Sequence, residues 1–395
     1  MKAAWSEVRT AASGLKLTVD LALASQAGFI GWQFYDPDTN RFIQEGEWTP
    51  AAAGGTSLII EFPPEPGGYR IYLSTVSAEE GWSYMRGEPF VVVDAVVDAA
   101  VNGPAVRVLS HEVCTLRRLR WRALRRAVPK LFTVPVASLW RNRMLLRSMV
   151  KRDILTRYRG SMGDVFWTVL NPLLLMLTYF FVFGVVLRTK FGADQSRSAY
   201  VLYFLAGMLP WLAFSEAAGR APYIILEHRN WVKRLVFPLE TLPAIPVISG
   251  MVTEVFAVAI FVTVLFALHG HVPLTAFWLP ALVIPQILFT VGLAWFLAAL
   301  AVYMRDLGQI NGFLLTMWFF LTPICYPVTA MPQGYMWLLG KNPMFVLVQA
   351  YRDVLLDGHS PSALPLVKLW ILALVVFFAG HAWFYKLRKT FADII

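Results

Sequence analysis

The fold class follows from one stretch of the chain, RNRMLLRSMVKRDILTRYRGSMGDVFWTVLNPLLLMLTYFFVFGVVL, which runs from Arg141 to Leu187. Its first part is basic and amphipathic, whereas its last part, Val165–Leu187, contains no charged residue. About 20 apolar helical residues cross the hydrocarbon core of a bilayer, and a basic amphipathic helix suits the cytoplasmic membrane surface. The stretch therefore predicts a membrane protein with the basic side of this span in the cytoplasm.

The composition agrees with a membrane location. The 395 residues are 57% hydrophobic and 15% charged, whereas a soluble domain carries roughly 25% charge. The net charge of +10 would suggest nucleic acid in a soluble protein, but the basic residues lie beside apolar stretches. Membrane lipids, not nucleic acid, are therefore the expected partners. Cys114 and Cys325 form neither a disulfide framework nor a metal-binding pattern, so we expect no metal.

Composition divides the chain into regions. Residues 1–108 alternate apolar and polar positions in short runs between Pro, Gly and Asp turns, which predicts an antiparallel β-sandwich. Residues 109–135 form a basic linker, and residues 136–163 contain an interfacial helix over Leu139–Leu155 and the loop after it. We expect an α-helical membrane protein with six transmembrane helices in residues 164–395 and an N-terminal cytoplasmic all-β sandwich domain.

Six segments have membrane-spanning length. They are Val165–Leu187, about Tyr200–Ala218, about Val247–Leu268, about Trp278–Met304, about Ile310–Val328 and about Leu366–Tyr385. With both termini inside, most Lys and Arg residues flank cytoplasmic ends, as the positive-inside rule requires. The external flanks hold only Arg188, Lys190, Arg197, Lys341, Arg352 and Lys368. We expect a multi-pass protein of the inner (plasma) membrane with cytoplasmic termini, in agreement with an N-terminus that lacks a signal-peptide pattern.

An unusual external segment, residues 329–362, follows the fifth span. Two short apolar pieces flank Lys341-Asn342-Pro343, and neither is long enough to cross the membrane. We expect re-entrant or interfacial helices at the outer mouth of a pathway. An ordinary capping loop is the alternative.

Three segments together resemble the membrane subunit of ABC-type (ABC-2) polysaccharide exporters. They are Arg152–Leu175, Asn230–Gly250, and Phe320–Pro332 with Asn342–Gly358. Their order and spacing make the resemblance specific. The family pattern after Arg-Gly-Ser usually continues with an apolar residue and Gly, whereas here the residues are Met162-Gly163-Asp164, and the acid at the first membrane turn is the departure.

The resemblance implies an ATP-driven export permease for an O-antigen-like, lipid-linked polysaccharide. It implies pairing with a second copy of the chain and with two ABC ATPase subunits. The sequence contains no G-x-x-x-x-G-K-[ST] phosphate loop, so ATP and Mg²⁺ are expected on the partner subunit, with no cofactor and no enzyme activity on this chain. A teichoic-acid or capsule exporter is the alternative. A membrane glycosyltransferase has less support, because it needs a pair of catalytic acids in an external loop.

A lipid-headgroup gate is predicted in the loop after the interfacial helix. Two guanidiniums and a phenol suit the pyrophosphate of a lipid-linked glycan, since Arg pairs bidentately with phosphate. The gate residues are Arg157, Tyr158, Arg159 and Ser161. Plain anchoring to anionic lipid is the alternative interpretation.

Coupling to the ATPase is predicted in the longest inner loop. A short helix there would fit an ATPase groove, with Asn230, Trp231, Lys233 and Arg234 as the contact residues. A solvated basic loop is the alternative.

Two kinds of residue are candidates for lining a sugar channel: an acid inside a predicted span, and aromatic residues whose rings can stack on sugars. Glu254 lies deep inside a span, where an unpaired charge is costly, and pyranose rings stack on aromatic side chains. The candidates are Trp167, Tyr179, Trp211, Glu254, Trp318 and Tyr326. Structural hydrogen bonding by Glu254, and core or lipid packing by the aromatic residues, are the alternatives.

The N-terminal region resembles the β-sandwich carbohydrate-binding module often fused to the ATPase subunit of O-antigen exporters. The segments that carry this resemblance are GWQFYDPDTN from Gly31, PGGYRIYL from Pro66 and EPFVVV from Glu88. Sugar-stacking candidates are Trp32, Trp48, Trp82 and Tyr84. The alternatives are that these rings fill the sandwich core or that the domain docks the ATPase.

Overall fold

The computed structural model describes residues 5–23, 28–37, 41–52, 55–100, 103–157, 170, 174, 177–178, 180–186, 197–233 and 237–395. The chain divides into two compact units, Met1–Pro129 and Lys130–Ile395. Most of the first predicted span, Val165–Leu187, lies outside the described residues. The described part of it includes a π-helical turn over Phe180–Val186.

The N-terminal unit consists of two antiparallel sheets. Their strands are β1 Trp5–Ser13, β2 Lys16–Leu23, β3 Phe29–Tyr35, β4 Phe42–Glu45, β5 Thr49–Pro50, β6 Thr56–Glu61, β7 Gly67–Ser77, β8 Gly81–Trp82, β9 Phe90–Ala100 and β10 Gly103–Cys114. The smaller sheet has the order β1-β2-β6, and the larger has the order β10-β9-β7-β3-β4. Strand β5 also pairs with β3, and β8 pairs with β7.

The two sheets share one apolar core, which confirms the predicted β-sandwich. Strand β6 alternates buried and exposed residues along its whole length, as expected for a strand with one face inside. Its Leu58 and Ile60 belong to the same buried cluster as Ile71 and Val93 of the larger sheet. Strand β10 continues past residue 108, the expected end of the domain, because its pairing with β9 extends to Cys114.

The remaining described chain is mostly helical. The longer helices are α1 Leu116–Arg141, α2 Arg143–Arg157, α3 Arg197–Arg220, α4 Ala244–His269, α5 Leu279–Tyr303, α6 Leu307–Leu321, α7 Pro343–Arg352 and α8 Ala363–Leu387. Short helices cover Ile224–Glu227, Arg229–Val232, Met336–Lys341 and Phe391–Ile394. The expected interfacial helix over Leu139–Leu155 is interrupted at Asn142, which separates α1 from α2.

Four helical stretches among the described residues are long and apolar enough to cross a membrane. They are Tyr200–Arg220, Leu239–His269, Leu274–Tyr303 and Ala363–Thr390, and they match the second, third, fourth and sixth predicted spans. The full count of six remains a prediction.

The fifth predicted span is shorter than expected. Helix α6 has 15 residues and ends at Leu321, so the predicted end at Val328 is wrong. The reason is Pro323, which disfavours the helical conformation at Thr322 and offers no N–H for the helix ladder. The segment Thr322–Pro327 is therefore not helical.

The segment 329–362, which was predicted to be external, contains the two short helices that flank Asn342. The Asn342 side chain accepts hydrogen bonds from the backbone N–H groups of Met344 and Phe345, and Pro343 occupies the first turn of α7. Both features are favourable helix starts. Helix α7 is largely buried and packs against α3, α5 and α8.

Candidate functional site

A polar cavity of about 490 Å³ lies between helix α2 and the segment that joins α3 to α4. Helix α2 contributes Asp153 and Thr156, the end of α3 contributes Arg220, and the joining segment contributes Asn230 and Trp231. We call it the Asp153 cavity. It brings two residues of the predicted ATPase contact next to the helix that leads into the predicted gate loop.

Helix α2 is fixed beside this cavity by its apolar face. Leu146, Met149 and Val150 are buried in one cluster with Ile225 and Ile245. These α2 positions recur at a spacing of three and four residues, which places them on one side of a helix. The packing leaves Asp153 and Thr156 to line the cavity.

An ion pair closes the contact between α2 and the end of α3. Arg220 Nη1 donates to Asp153 Oδ2 at 3.0 Å, and Arg220 Nη2 donates to Asp153 Oδ1 at 2.5 Å. The Asp153 side chain is 13% exposed and that of Arg220 is 32% exposed. A bidentate pair of this kind fixes orientation as well as distance. Neither residue is among the gate, coupling or channel residues predicted from the sequence.

The predicted coupling residues lie on and beside the short helix Arg229–Val232. Asn230 and Lys233 are exposed, whereas Trp231 is half-buried and packs edge-on against Phe237 with 4.8 Å between ring centroids. The segment thus presents polar groups outward while Trp231 anchors it to the helical unit. Arg234 lies outside the described residues.

Several predicted site residues lie outside the described residues. They are Tyr158, Arg159 and Ser161 of the gate, Asp164, and the channel candidates Trp167 and Tyr179. Arg157 is the last residue of α2. The helix that precedes the gate loop is therefore described, and the loop itself is not.

Glu254 is buried within the helical unit and fully engaged in hydrogen bonds. Tyr351 OH donates to Glu254 Oε1 at 2.6 Å, and Gln286 Nε2 donates to Glu254 Oε2 at 2.7 Å. The three residues come from α4, α5 and α7. This arrangement matches the structural alternative for Glu254, since paired hydrogen bonds offset the cost of burying the acid.

Arg352 is a second buried polar residue. From the sequence it was predicted only to lie in an external segment between two spans. Its Nε donates to the Tyr203 carbonyl at 3.0 Å, Nη1 to the Pro323 carbonyl at 2.9 Å and Nη2 to the Ile324 carbonyl at 3.0 Å. A Cβ at Gly207 would lie 2.8 Å from Nη2, so glycine leaves the space that the guanidinium fills. The sequence did contain a signal for such a contact. The segment Thr322–Pro327 (TPICYP) contains two prolines and is not expected to be helical, so its backbone carbonyls need hydrogen-bond donors from elsewhere in the chain.

A protein-family model described as "ABC-2 type transporter" matches residues 144–356, more than half of the chain. The chain belongs to the ABC-2 type transporter family. With four apolar helices of spanning length in the described part of the chain, this ABC-2 transporter is a multi-pass membrane protein. The Asp153 cavity, Glu254 and Arg352 all fall inside the matched range.

Curated relatives match this ABC-2 chain over nearly their whole length and over about two thirds of its own. The O-antigen export system permease protein RfbA of Myxococcus xanthus is 34% identical over 263 residues, which are 66% of this chain and 98% of the relative. RfbA of Klebsiella pneumoniae is 25% identical over 252 residues, or 64% and 95% of the two chains. The polysialic acid transport protein KpsM of Escherichia coli is 20% identical over 257 residues, or 62% and 94%.

The described aromatic channel candidates of the ABC-2 region make internal contacts. Trp211 is buried and packs against Phe319 with 5.4 Å between ring centroids. Trp318 Nε1 donates to Asn342 Oδ1 at 2.8 Å, and Tyr326 OH donates to the Phe320 carbonyl at 2.6 Å. Trp211 therefore contributes to packing, while Trp318 and Tyr326 keep partly exposed rings.

The four sugar-stacking candidates differ in exposure. Trp82 and Tyr84 are buried in one cluster, and Trp32 is half-buried against the main core. Burial raises the pKa of Tyr84. Trp48 is 41% exposed, and its Nε1 donates to Glu45 Oε1 at 2.9 Å. Among the four, Trp48 presents the most open ring.

Proposed function

We propose that this ABC-2 chain is the permease subunit of an ATP-driven exporter that moves a lipid-linked, O-antigen-like polysaccharide across the inner membrane. The observation that carries the proposal is the match to O-antigen export permeases over 95–98% of their length. A capsule-type glycan is the second candidate, because polysialic acid transport proteins also match, at 20% identity.

The partners follow from the same proposal. Two copies of the chain associate with two ABC ATPase subunits, which bind ATP and Mg²⁺. Both termini lie in the cytoplasm, and the ATPase docks on the exposed side of Arg229–Lys233. Support comes from the exposed polar residues Asn230 and Lys233 on a segment that Trp231 anchors.

The Asp153 cavity provides a route from the ATPase contact to the gate. Movement of the Asn230–Trp231 segment reaches α2 through the shared cluster and the Asp153–Arg220 pair. Helix α2 ends at Arg157, where the predicted phosphate-binding loop begins. The proposal therefore assigns recognition of the lipid headgroup to Arg157–Ser161 and its positioning to α2.

Replacing Asp153 by Asn should uncouple transport from ATP hydrolysis. The substitution removes the charge that holds Arg220, and we expect export to fall about tenfold, or roughly 1.4 kcal/mol. ATP hydrolysis by the purified complex should stay within about twofold of wild type. Glu227→Gln removes another carboxylate of the same cavity and should leave both activities unchanged. Recovery of export in the charge-exchanged D153R/R220D variant would support the pair, and full export by D153N would contradict it.

The N-terminal domain carries a second proposal, that it binds the glycan through Trp48. The observation that favours it is the exposed indole of Trp48, held in orientation by Glu45. Trp48→Ala in the full chain should weaken binding of the isolated native glycan at least about tenfold by titration calorimetry. The control is Trp121→Ala, since Trp121 is equally large and 56% exposed. An absence of heat with wild-type protein would favour ATPase docking instead.

The export function itself is tested by depleting the chain in its native cell. We expect lipid-linked glycan to accumulate on the cytoplasmic side while its synthesis continues, and restoration of the chain should clear it. Normal glycan display at the cell surface after depletion would overturn the proposal.

A further inference from the structure

A second cavity, of about 290 Å³, lies at the other end of the helical unit. Its walls are the turn between the short helix Met336–Lys341 and α7, one side of α7 with Asp353 after it, and the first three turns of α8. We call it the external cavity, because the proposed topology places this end outside the cytoplasm. Its existence does not depend on what the transporter carries.

The external cavity is lined by both charged and apolar side chains. Lys341 and Lys368 line it, and both are exposed. Leu369 and Leu372 of α8 also line it. Leu372 follows Lys368 by four residues and Leu369 by three, so it is a helical neighbour of both. The lysine near the helix start is therefore next to apolar residues farther along the helix.

The charges of the lining favour an anion. The Lys341 ammonium lies 5.0 Å from the centroid of the Trp337 ring, which holds it beside the cavity. Asp353 also lines the cavity, but its Oδ1 accepts a hydrogen bond from Gln349 Nε2 at 2.9 Å. The lining thus contains two ammonium groups and one carboxylate that is already engaged.

The helix start beside the cavity does not supply the anion site. The backbone N–H groups of Met344 and Phe345 donate to the side chain of Asn342. Recognition of an anion therefore falls to the two lysines. Lysines on the external side run against the positive-inside rule, and the convergence of Lys341 and Lys368 on one cavity gives them a common role.

We propose that the external cavity binds an anionic phospholipid of the outer leaflet. The lipid phosphate lies between Lys341 and Lys368, and one acyl chain follows Leu369 and Leu372 down α8. An ammonium pair over an apolar groove matches an amphiphile with a phosphate head better than it matches a free sugar or a free phosphate ion. The orientation of the site rests on the proposed topology, whereas binding itself does not rest on export.

The test is native mass spectrometry of the full chain purified from nanodiscs that contain phosphatidylglycerol or phosphatidylcholine. Wild type should retain phosphatidylglycerol at least tenfold more than phosphatidylcholine, and K341Q/K368Q should lose that preference. The matched control is K386Q/K389Q, which removes two exposed lysines from the opposite end of the same helical segment and should behave as wild type. Equal retention by wild type and K341Q/K368Q would overturn the proposal, as would displacement of the lipid by millimolar inorganic phosphate.

A second measurement on the unmodified chain makes the result independent of variant folding. Photoactivatable phosphatidylglycerol should label peptides that contain residues 341–349 or 365–372, and unlabelled phosphatidylglycerol should compete. Labelling only elsewhere on the chain would refute the site. Because neither readout measures transport, failure of this proposal is distinguishable from failure of the proposed export function.

Discussion

Replacing Arg352 by Met should cause the largest loss of stability in the helical unit. The Met side chain is of similar length, but it has no N–H groups. The buried carbonyls of Tyr203, Pro323 and Ile324 would therefore lose the hydrogen bonds that the Arg352 guanidinium donates. Each unsatisfied buried polar group costs about 1–3 kcal/mol, and the non-helical backbone cannot turn to water inside a membrane. We expect a loss of about 4 kcal/mol, seen as a fall of about 10 °C in Tm of the detergent-purified chain.

Arg305→Met is the matched control for this experiment. Arg305 is exposed, so its replacement removes the same side chain without uncovering a buried acceptor, and Tm should stay within about 2 °C of wild type. If R352M and R305M melt at the same temperature, Arg352 does not hold α7 and the TPICYP segment in place.

Adding one methyl group at Gly380 should force helices α5 and α8 apart. A Cβ at Gly380 would lie 2.0 Å from the Gly292 carbonyl oxygen and 2.7 Å from its carbonyl carbon. Both atoms are backbone, so neither can rotate away, and close approach of this kind is the reason small residues occur between packed membrane helices. We expect Gly380→Ala to cost about 3 kcal/mol and to reduce the yield of monodisperse protein in size-exclusion chromatography.

The control for this substitution is Gly312→Ala in α6. No atom lies within 4 Å of a Cβ added there, so Ala should be neutral or stabilise the helix by up to about 1 kcal/mol. An unchanged yield and Tm for Gly380→Ala would show that the two helices do not touch at this point.

The sequence predicted the main elements because each has its own local pattern. Apolar runs of spanning length located α3, α4, α5 and α8, and alternation located the β-sandwich. The end of α6 was also readable from Pro323, but hydropathy alone extended the span to Val328. Patterns of this kind depend on neighbours within one or two turns.

The site contacts were not predictable because they join distant parts of the chain. In the sequence, Asp153 and Arg220 lie 67 residues apart in two separate polar segments beside apolar runs. Only folding brings α2 to the end of α3 and joins the two residues. Likewise, the acceptors of Arg352 include Tyr203, 149 residues away. The burial of Trp82 also had no local signal, since β8 is only two residues long and shows no alternation of apolar and polar residues. The same holds for the exposure of Trp48, which directly precedes the two-residue strand β5.

The most direct test of the central claim is reconstitution of this chain with its ATPase partner in proteoliposomes loaded with fluorescent lipid-linked O-antigen-like glycan. We expect ATP and Mg²⁺ to move the glycan to the opposite leaflet, where a membrane-impermeant glycosidase cleaves it, and neither subunit alone should do so. An assembled complex that hydrolyses ATP yet leaves the glycan in its original leaflet would contradict the assignment of this chain as a polysaccharide export permease.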